Sequence, residues 1–520
     1  MANNNRRSKN AKEKIIYLAG CLGLEPEQQE GLVSILQSAN IDDFNYGLAI
    51  VDNYIIRMKS STLNDCQKEA FNVISRFLED NPEEWSAVVL KGYAGTGKTY
   101  LISRIIEWYT TMYPNKKIAM TAPTNKAVAV LSTMGIHDMY NDDEESKCIS
   151  YKTIHKLLGI KQDVDETGQI TFTPSINGSL IDRYNVIIID ETSMLNDEMF
   201  FMLWKYQDTK KFIFIGDPLQ IPPVNMEDSI PFKNPEEYGM KEVVLTQIMR
   251  QAEGNPIIGK SIEIRQNIDK KYPVRYESKL DENKCGLVYI PKAKADEYVD
   301  RILHRYFQCD DYFDNRNYMK VIAWTNAMVK YYNNTVRQIL FPDAKDRFMV
   351  GESLISNRQL IDEHFCPFAF TSEEFVITNT DTKKINVTSK VNDRYNSIVN
   401  FEYEFPFHIL DVVSINTNEK KKLKVIHEDN WYDYLNIMKK YKKICEKKMR
   451  PQYWSAYYNL LYFSDDVSYN YAISAHRSQG STYNNVLLIE SNLNENPNII
   501  ERNRIKYTAY TRAKEHLFIL

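Results

Sequence analysis

Gly92-Tyr93-Ala94-Gly95-Thr96-Gly97-Lys98-Thr99 spells G-x-x-x-x-G-K-T, a spacing with a physical purpose. Its glycines let backbone N–H groups crowd around phosphate oxygens, and a helix N-terminus behind them adds a favourable dipole for an anion. Lys98 is placed to neutralise the β- and γ-phosphates, and the Thr99 hydroxyl to ligate Mg²⁺. The apolar run Ala87–Leu90 precedes the motif and an amphipathic stretch, Tyr100–Thr111, follows it. That is the strand–loop–helix context the motif requires. Gly92, Gly95, Thr96, Gly97, Lys98 and Thr99 are therefore expected to hold a nucleoside triphosphate.

Three more apolar runs follow, each ending in a polar cluster. Ile118–Met120 leads into Thr121-Ala-Pro-Thr-Asn-Lys126, Val186–Ile189 into Asp190-Glu191, and Phe212–Ile215 into Gly216-Asp-Pro-Leu-Gln220. Buried parallel strands read as continuous apolar runs, and their ligands gather outside the carboxyl ends. Four such ends predict one crevice in an α/β fold, a RecA-like doubly wound sheet. Asp190 can hold Mg²⁺ opposite Thr99, Glu191 can orient or deprotonate the attacking water, and Gln220 can bond the γ-phosphate or that water. Upstream, Asn64 or Asp65 can cap a helix with Gln67 in its first turn. A glutamine amide there can bind both edges of adenine; taken alone, a solvent-exposed glutamine is the plainer reading.

The whole chain, 520 residues, exceeds one typical domain. Its hydrophobic fraction of 43% and charged fraction of 26% fit an ordinary globular protein. The sequence offers no run of about 18 apolar residues and no apolar segment behind Met1, so an intracellular, cytoplasmic protein with no membrane partner is expected. Seven scattered cysteines without a C-x-x-C pair argue for reduced thiols. A net charge of −4 excludes a uniformly basic coat, so any nucleic-acid binding must come from a local groove.

Residues 1–60 have helical periodicity and no recognisable chemistry. Between the second and third runs lies an insertion, about residues 135–184. It holds Tyr151-Lys-Thr-Ile-His155 and then two short β-like runs around Glu166-Thr-Gly168. A hairpin there, with Ile170 or Phe172 as apolar tip residue, suits a strand-separating pin and a decorative hairpin equally. Downstream, Leu245-Thr-Gln-Ile-Met-Arg250, Val321–Asn326, Ser474–Thr482 with Val486–Ile489, and Lys506–Ile519 form a second α/β set without a phosphate loop. Arg250 and Arg512 make sense if that set faces the first across the nucleotide. Residues 345–465 interrupt it with a small barrel and then a helical part, whose lysine clusters suit a phosphate backbone or a solvated helix face.

Taken as an ordered set, the stretches Gly-Tyr-Ala-Gly-Thr-Gly-Lys-Thr, Ala-Pro-Thr-Asn-Lys-Ala, Thr-Ile-His, Ile-Asp-Glu-Thr-Ser-Met, Gly-Asp-Pro-Leu-Gln-Ile-Pro-Pro-Val, His-Arg-Ser-Gln-Gly-Ser-Thr and Tyr-Thr-Ala-Tyr-Thr-Arg-Ala resemble the superfamily 1 helicases. The wording is most similar to the RecD/Dda branch and the Dda helicases of tailed phages, over about residues 61–520. The resemblance implies domain 1A at 61–245 with a pin insertion at about 135–184, domain 2A at 246–344 and 466–520, and an SH3-like domain 2B with a helical tower at 345–465. It implies ATP as the nucleotide, with Gln67 reading adenine and Gly480 joining the nucleotide contacts. Arg250 and Arg512 match the two arginine positions of domain 2A. Pro123, Thr124, Asn125, His155, Thr325, Asn326 and His476 fall in motifs that line a single-strand track. The implied activity is ATP-dependent 5′-to-3′ translocation on single-stranded DNA with unwinding of forks, by a monomer, in replication, recombination or repair; single-strand-binding or replication proteins are the expected partners, and the host cytoplasm the compartment for a phage protein. Two alternatives stay open: an RNA or RNA–DNA helicase of the same superfamily, and an ATP-hydrolysing remodeller or adaptor that does not unwind.

Overall fold

The computed structural model describes residues 62–79, 85–132, 148–164, 170–174, 178–223, 226–249, 254–362, 367–391, 399–415, 417–448 and 451–520, with the helix Pro26–Ser38 and scattered positions before residue 62. In chain order the first strands are β1 (Ala87–Gly92), β2 (Ile118–Ala122), β3 (Ile149–Thr153), β4 (Ile160–Val164), β5 (Ile170–Pro174), β6 (Val186–Ile189), β7 (Lys211–Gly216) and β8 (Met240–Leu245). Six of them make one sheet in the order β3-β2-β6-β7-β1-β8, parallel throughout. The four apolar runs read from the sequence are its contiguous centre. Alternate residues of one strand serve opposite faces: Val88 and Leu90 pack with Phe71, Ile105 and Trp108, while Ala87 and Val89 pack with Phe200, Leu203 and Phe214. Leu32 and Leu36 of Pro26–Ser38 join the first of these clusters.

The edge strands escaped the sequence reading because they lack continuous apolar runs. In β8 the buried and exposed positions alternate around Lys241 and Glu242. β3 is Ile-Ser-Tyr-Lys-Thr, buried only at its two ends. It narrows the expected insertion: residues 149–158 are a sheet strand and its following helix, and among the described residues the antiparallel β4–β5 hairpin comes after them.

Next come β9 (Lys279–Leu280), β10 (Gly286–Tyr289), β11 (Met319–Ala323), β12 (Ser353–Ser356), β13 (Leu360–Ile361), β14 (Pro367–Ala369), β15 (Glu374–Val391), β16 (Val399–Ser414), β17 (Lys420–Ile426), β18 (Val467–Tyr469), β19 (Ala472–Ser474), β20 (Tyr483–Leu488) and β21 (Ala513–Ile519). The second sheet runs β19-β11-β20-β21-β10-β9 and is parallel except at β9. The third, β17-β16-β15-β12-β18, is antiparallel. Its long hairpin β15–β16 carries the helices Trp431–Lys448 and Pro451–Phe463, which bury Tyr434, Met438, Tyr441, Tyr453 and Trp454 against Val387, Phe405 and Phe407. Trp431, at the start of the first of these helices, is 47% exposed. The second helix also lies against β4. Among the described residues no helix is long and apolar enough to cross a membrane.

Candidate active site

The phosphate loop joins β1 to the helix Lys98–Met112. Gly95 and Gly97 take φ of +81° and +74°, left-handed conformations that glycine adopts without a Cβ penalty. Crowding adds to the requirement: a Cβ on Gly97 would sit 2.6 Å from Gln67 Nε2, and one on Gly92 2.8 Å from Thr96 Oγ1. Gly97 caps the helix without any side-chain hydrogen bond, which leaves the first-turn N–H groups, Thr99 among them, for an anion. Lys98 Nζ donates to the carbonyls of Gly92 at 2.6 Å and Tyr93 at 3.3 Å.

Gln67 is buried, against the plain expectation of a surface glutamine. Its Oε1 accepts the Asn64 N–H at 3.1 Å, closing a capping box on the helix Asp65–Leu78, and its Nε2 donates to Thr96 O at 3.1 Å. The amide thus ties its own helix to the phosphate loop.

β6 ends next to β2 and β7 and delivers two half-buried carboxylates. Asp190 Oδ1 accepts the Glu191 N–H at 2.8 Å. Burial raises its pKa, while that hydrogen bond and Lys98 pull it back. Glu191 sits at φ +50°, an uncommon backbone for glutamate. Burial first, and Asp190 second, push its pKa up to about 7 against the attraction of Arg512 and Lys98. Two adjacent carboxylates at this strand end, with the Thr99 hydroxyl in the first turn of the phosphate-loop helix, are oxygen donors of the kind that suits Mg²⁺. Gln220, after β7, is buried, and its Oε1 has no hydrogen-bond partner among the described residues.

The second sheet closes this crevice. On the helix Ile499–Tyr510, the Tyr507 hydroxyl donates to Asp217 Oδ2 at 2.5 Å and accepts the Ala94 N–H of the phosphate loop at 3.2 Å. Thr508 Oγ1 accepts the Ile221 N–H at 3.3 Å, and Gln479 Nε2 donates to Ile221 O at 2.9 Å. Arg512 is buried; its guanidinium donates to the carbonyls of Thr508, Ser478 and Ser481 and feels the Glu191 charge. Gly480 takes φ +69°, and a Cβ there would lie 3.3 Å from Ala127 Cβ and 3.8 Å from Glu191 Oε1. Arg265 stacks its guanidinium 3.7 Å above the Tyr93 ring.

Two strand ends repeat one arrangement. After β2, Thr124 Oγ1 accepts the Ala127 N–H at 3.2 Å at the start of the helix Asn125–Ser132. After β11, Thr325 Oγ1 accepts the Met328 N–H at 3.3 Å at the start of the helix Asn326–Leu340. Pro123, Thr124 and Asn125 therefore hold in the first sheet the place that Thr325 and Asn326 hold in the second. Burial lowers the pKa of His155, after β3, and of His476, after β19, so both imidazoles are neutral at pH 7.

Arg250 and the side chains of Ile170 and Phe172 lie outside the described residues. On the backbone, Ile170 pairs with Val164 at the loop end of the hairpin, and Phe172 with Gln162 further down. Asp217, Tyr507 and Arg265 were not singled out in the sequence. Asp217 and Tyr507 stand inside quoted motifs but belong to residue types common in cores, and Arg265 has no motif around it.

Comparison with known proteins follows the same division. Residues 82–226 match the family model for an AAA domain, 469–520 that for a UvrD-like helicase C-terminal domain, and 160–297 that for a viral superfamily 1 RNA helicase core domain. An uncharacterised protein of Acanthamoeba polyphaga mimivirus is 27% identical over 507 residues, covering 87% of this chain and 99% of its own. The ATP-dependent DNA helicase Dda of enterobacteria phage T4 is 27% identical over 310 residues, 58% of this chain and 63% of that protein. RecD of Buchnera aphidicola is 24% identical over 474 residues, 83% of this chain and 70% of its own. A solved Pif1 helicase from Bacteroides overlaps 88% of this chain and 92% of its own, with a TM-score of 0.45 and 15% identity.

Proposed function

For a chain that belongs to the superfamily 1 helicases of the RecD and Dda type, we propose an ATP-driven motor that moves 5′ to 3′ along single-stranded DNA and opens duplex forks. The observation that carries the reading is the Tyr507 hydroxyl, bonded at once to the phosphate loop and to Asp217. A nucleotide site walled in part by another sheet can pass a change in its contents on to that sheet. Lys98, the loop N–H groups and Gln67 would hold ATP; Arg512, joined by Arg250, would meet charge on the γ-phosphoryl group; Glu191 would take the water's proton while Gln220 orients it. Thr99 and Asp190 would hold Mg²⁺, which supplies charge neutralisation at the phosphates.

The domains of this motor are 61–245, 246–344 with 466–520, and 345–465, with 1–60 as an extension. The β4–β5 hairpin is its pin and the helix Pro451–Phe463 the pin's support. Thr124, Asn125, Thr325 and Asn326 grip the DNA backbone in turn, with Pro123, His155 and His476 beside them, and alternating grip converts closure into stepping. We place it in the cytoplasm as a monomer acting in replication, recombination or repair.

Unwinding of 5′-tailed against 3′-tailed duplexes tests the polarity: faster opening of the 3′-tailed substrate would reverse it. The match of residues 160–297 to a viral RNA helicase core favours a second reading, RNA as the track. Stronger stimulation of ATP hydrolysis by RNA than by DNA oligonucleotides would establish that reading instead. DNA-stimulated hydrolysis without strand separation would make the chain a remodeller.

A further inference from the structure

Away from the nucleotide, three sheets meet in one buried ionic cluster. Lys126 stands directly after the Thr124-Asn125 turn of the first sheet. Its ammonium donates to Glu374 Oε1 at 2.6 Å and to the Tyr483 hydroxyl at 3.0 Å. Glu374 opens β15 of the third sheet and Tyr483 opens β20 of the second. A second ammonium, Lys320 of β11, lies 5.4 Å from the centre of the Tyr483 ring, where Lys126 lies at 5.2 Å. Lys320 donates to Asn470 O at 2.6 Å instead of to the carboxylate. All four side chains are shielded from solvent, so one carboxylate serves two buried cations that come from different sheets.

Their titration agrees with that geometry. Burial disfavours the charged carboxylate of Glu374, yet Lys126 and Lys320 outweigh it and bring the pKa down to about 2. Burial would also lower Lys126, but Glu374 and Tyr483 raise it above the ordinary lysine value. Lys320 has the poorer share: burial, only partly offset by Glu374, takes it down to about 8.

Movement between the sheets must divide this cluster at a definite place. The second and third sheets are stitched together around it, because Arg337 Nε donates to Glu352 at 2.6 Å and Lys320 Nζ of β11 donates to Asn470 O, beside β18, at 2.6 Å. Lys320 and Glu374 therefore travel as one block, and Lys126 is the partner across the boundary. The neighbour of Lys126, Ala127, is the residue that Gly480 approaches beside Glu191.

We propose that Lys126 and Glu374 are positioning residues that couple nucleotide-driven closure to the DNA track. Their ion pair holds the Thr124-Asn125 turn against the second and third sheets in the closed arrangement. When the sheets part, Lys320, the second ammonium against the Tyr483 ring, takes over the Glu374 carboxylate. A buried carboxylate that loses its hydrogen-bonded ammonium is costly, and a second ammonium already nearby reduces that penalty. The turn then moves between two defined ends instead of drifting.

This inference rests on the motor reading above, and the experiment separates the two. Glu374→Gln, Lys126→Met, Lys126→Arg and the double variant Glu374→Gln/Lys126→Met are compared with the wild type in the full chain. KM for ATP, kcat with saturating single-stranded DNA, and base pairs opened per ATP hydrolysed are measured. Both single substitutions should raise KM by roughly fivefold or more and lower base pairs per ATP, a typical size for coupling between sites. The double should be no worse than the worse single, and Lys126→Arg should retain most of the wild-type coupling. Loss of kcat with base pairs per ATP unchanged, additive losses in the double, or an arginine variant as poor as the methionine one would each overturn the coupling role. A wild-type chain without DNA-stimulated ATP hydrolysis would instead overturn the motor itself.

Discussion

Tyr507 and Asp217 share a 2.5 Å hydrogen bond across the boundary between two sheets, and the same Tyr507 oxygen accepts the Ala94 N–H. The link reports to the second sheet what happens at two strand ends of the first, because Ala94 follows β1 and Asp217 follows β7. Burial and the Asp217 carboxylate hold the phenol far above its ordinary pKa, so it remains a donor at all working pH values. Tyr507→Phe removes the hydroxyl while keeping the ring. A buried partner left unsatisfied costs about 1–3 kcal/mol, which corresponds to roughly 5- to 150-fold in a coupling equilibrium. The expected result is a higher KM for ATP and slower unwinding with DNA affinity little changed. Steady-state hydrolysis and fluorescence anisotropy of labelled oligonucleotide check the two halves.

Lys98→Ala should abolish hydrolysis. The ammonium is held by carbonyls of its own loop, Gly92 and Tyr93, so it stands at the mouth of the loop without serving the core. Thermal unfolding of the variant should match the wild type, and nucleotide titration should show weakened binding. Hydrolysis at the wild-type rate would remove Lys98 from the chemistry.

Glu191→Gln should retain ATP binding and stop turnover. It should also stabilise the protein at alkaline pH. The folded-state pKa of Glu191 is raised from 4.5 to about 7, so the folded chain holds this proton more tightly than the unfolded chain. That contribution to stability is complete below about pH 4.5 and is lost as pH rises through about 7. At pH 8 the wild type carries a buried charge that the glutamine lacks, worth at most about 3 kcal/mol by linkage. Melting curves of the two proteins should therefore diverge far more at pH 8 than at pH 5.

The same ionisation should govern the rate. As a base, Glu191 must be deprotonated, so kcat at saturating ATP and DNA should fall below about pH 7, and more steeply than ATP affinity does. Bound Mg²⁺ would shift the midpoint downward by stabilising the charged form. A kcat flat from pH 8 to pH 5.5 would take the proton-accepting role away from Glu191.

What could be read in advance follows the physics of each element. The central strands β1, β2, β6 and β7 are buried on both faces and announce themselves as unbroken apolar runs, and their motifs must lie at carboxyl ends. The edge strands β3 and β8 are half exposed and lack an unbroken apolar run, so they resemble loop sequence; that is why residues 149–158 read as insertion. Gln67 shows a different limit. Its burial comes from the crowding of Gly97 and Met249 around its amide, contacts made by segments about 30 and 180 residues away. Lys126 was in plain view inside Ala-Pro-Thr-Asn-Lys-Ala, but its partner Glu374 is 248 residues distant, and no local pattern marks a pair that only the tertiary fold creates.

Arg512 carries the last prediction. Its guanidinium braces the turn through the Ser478 and Ser481 carbonyls on either side of Gly480, while its charge acts on Glu191. Arg512→Ala removes both functions, and Arg512→Lys keeps the charge but not the planar fork that reaches two carbonyls. If charge on the γ-phosphoryl group is what matters, both variants should lose turnover, alanine by the roughly 10³–10⁵ factor associated with such arginines and lysine by less. If bracing the turn matters more, the two should be equally poor, and both should bind DNA weakly because His476 lies in the same turn. Single-turnover hydrolysis beside DNA anisotropy distinguishes these outcomes. We expect turnover to fall far more than DNA affinity, with lysine intermediate; the reverse order would move Arg512 from the nucleotide to the DNA track.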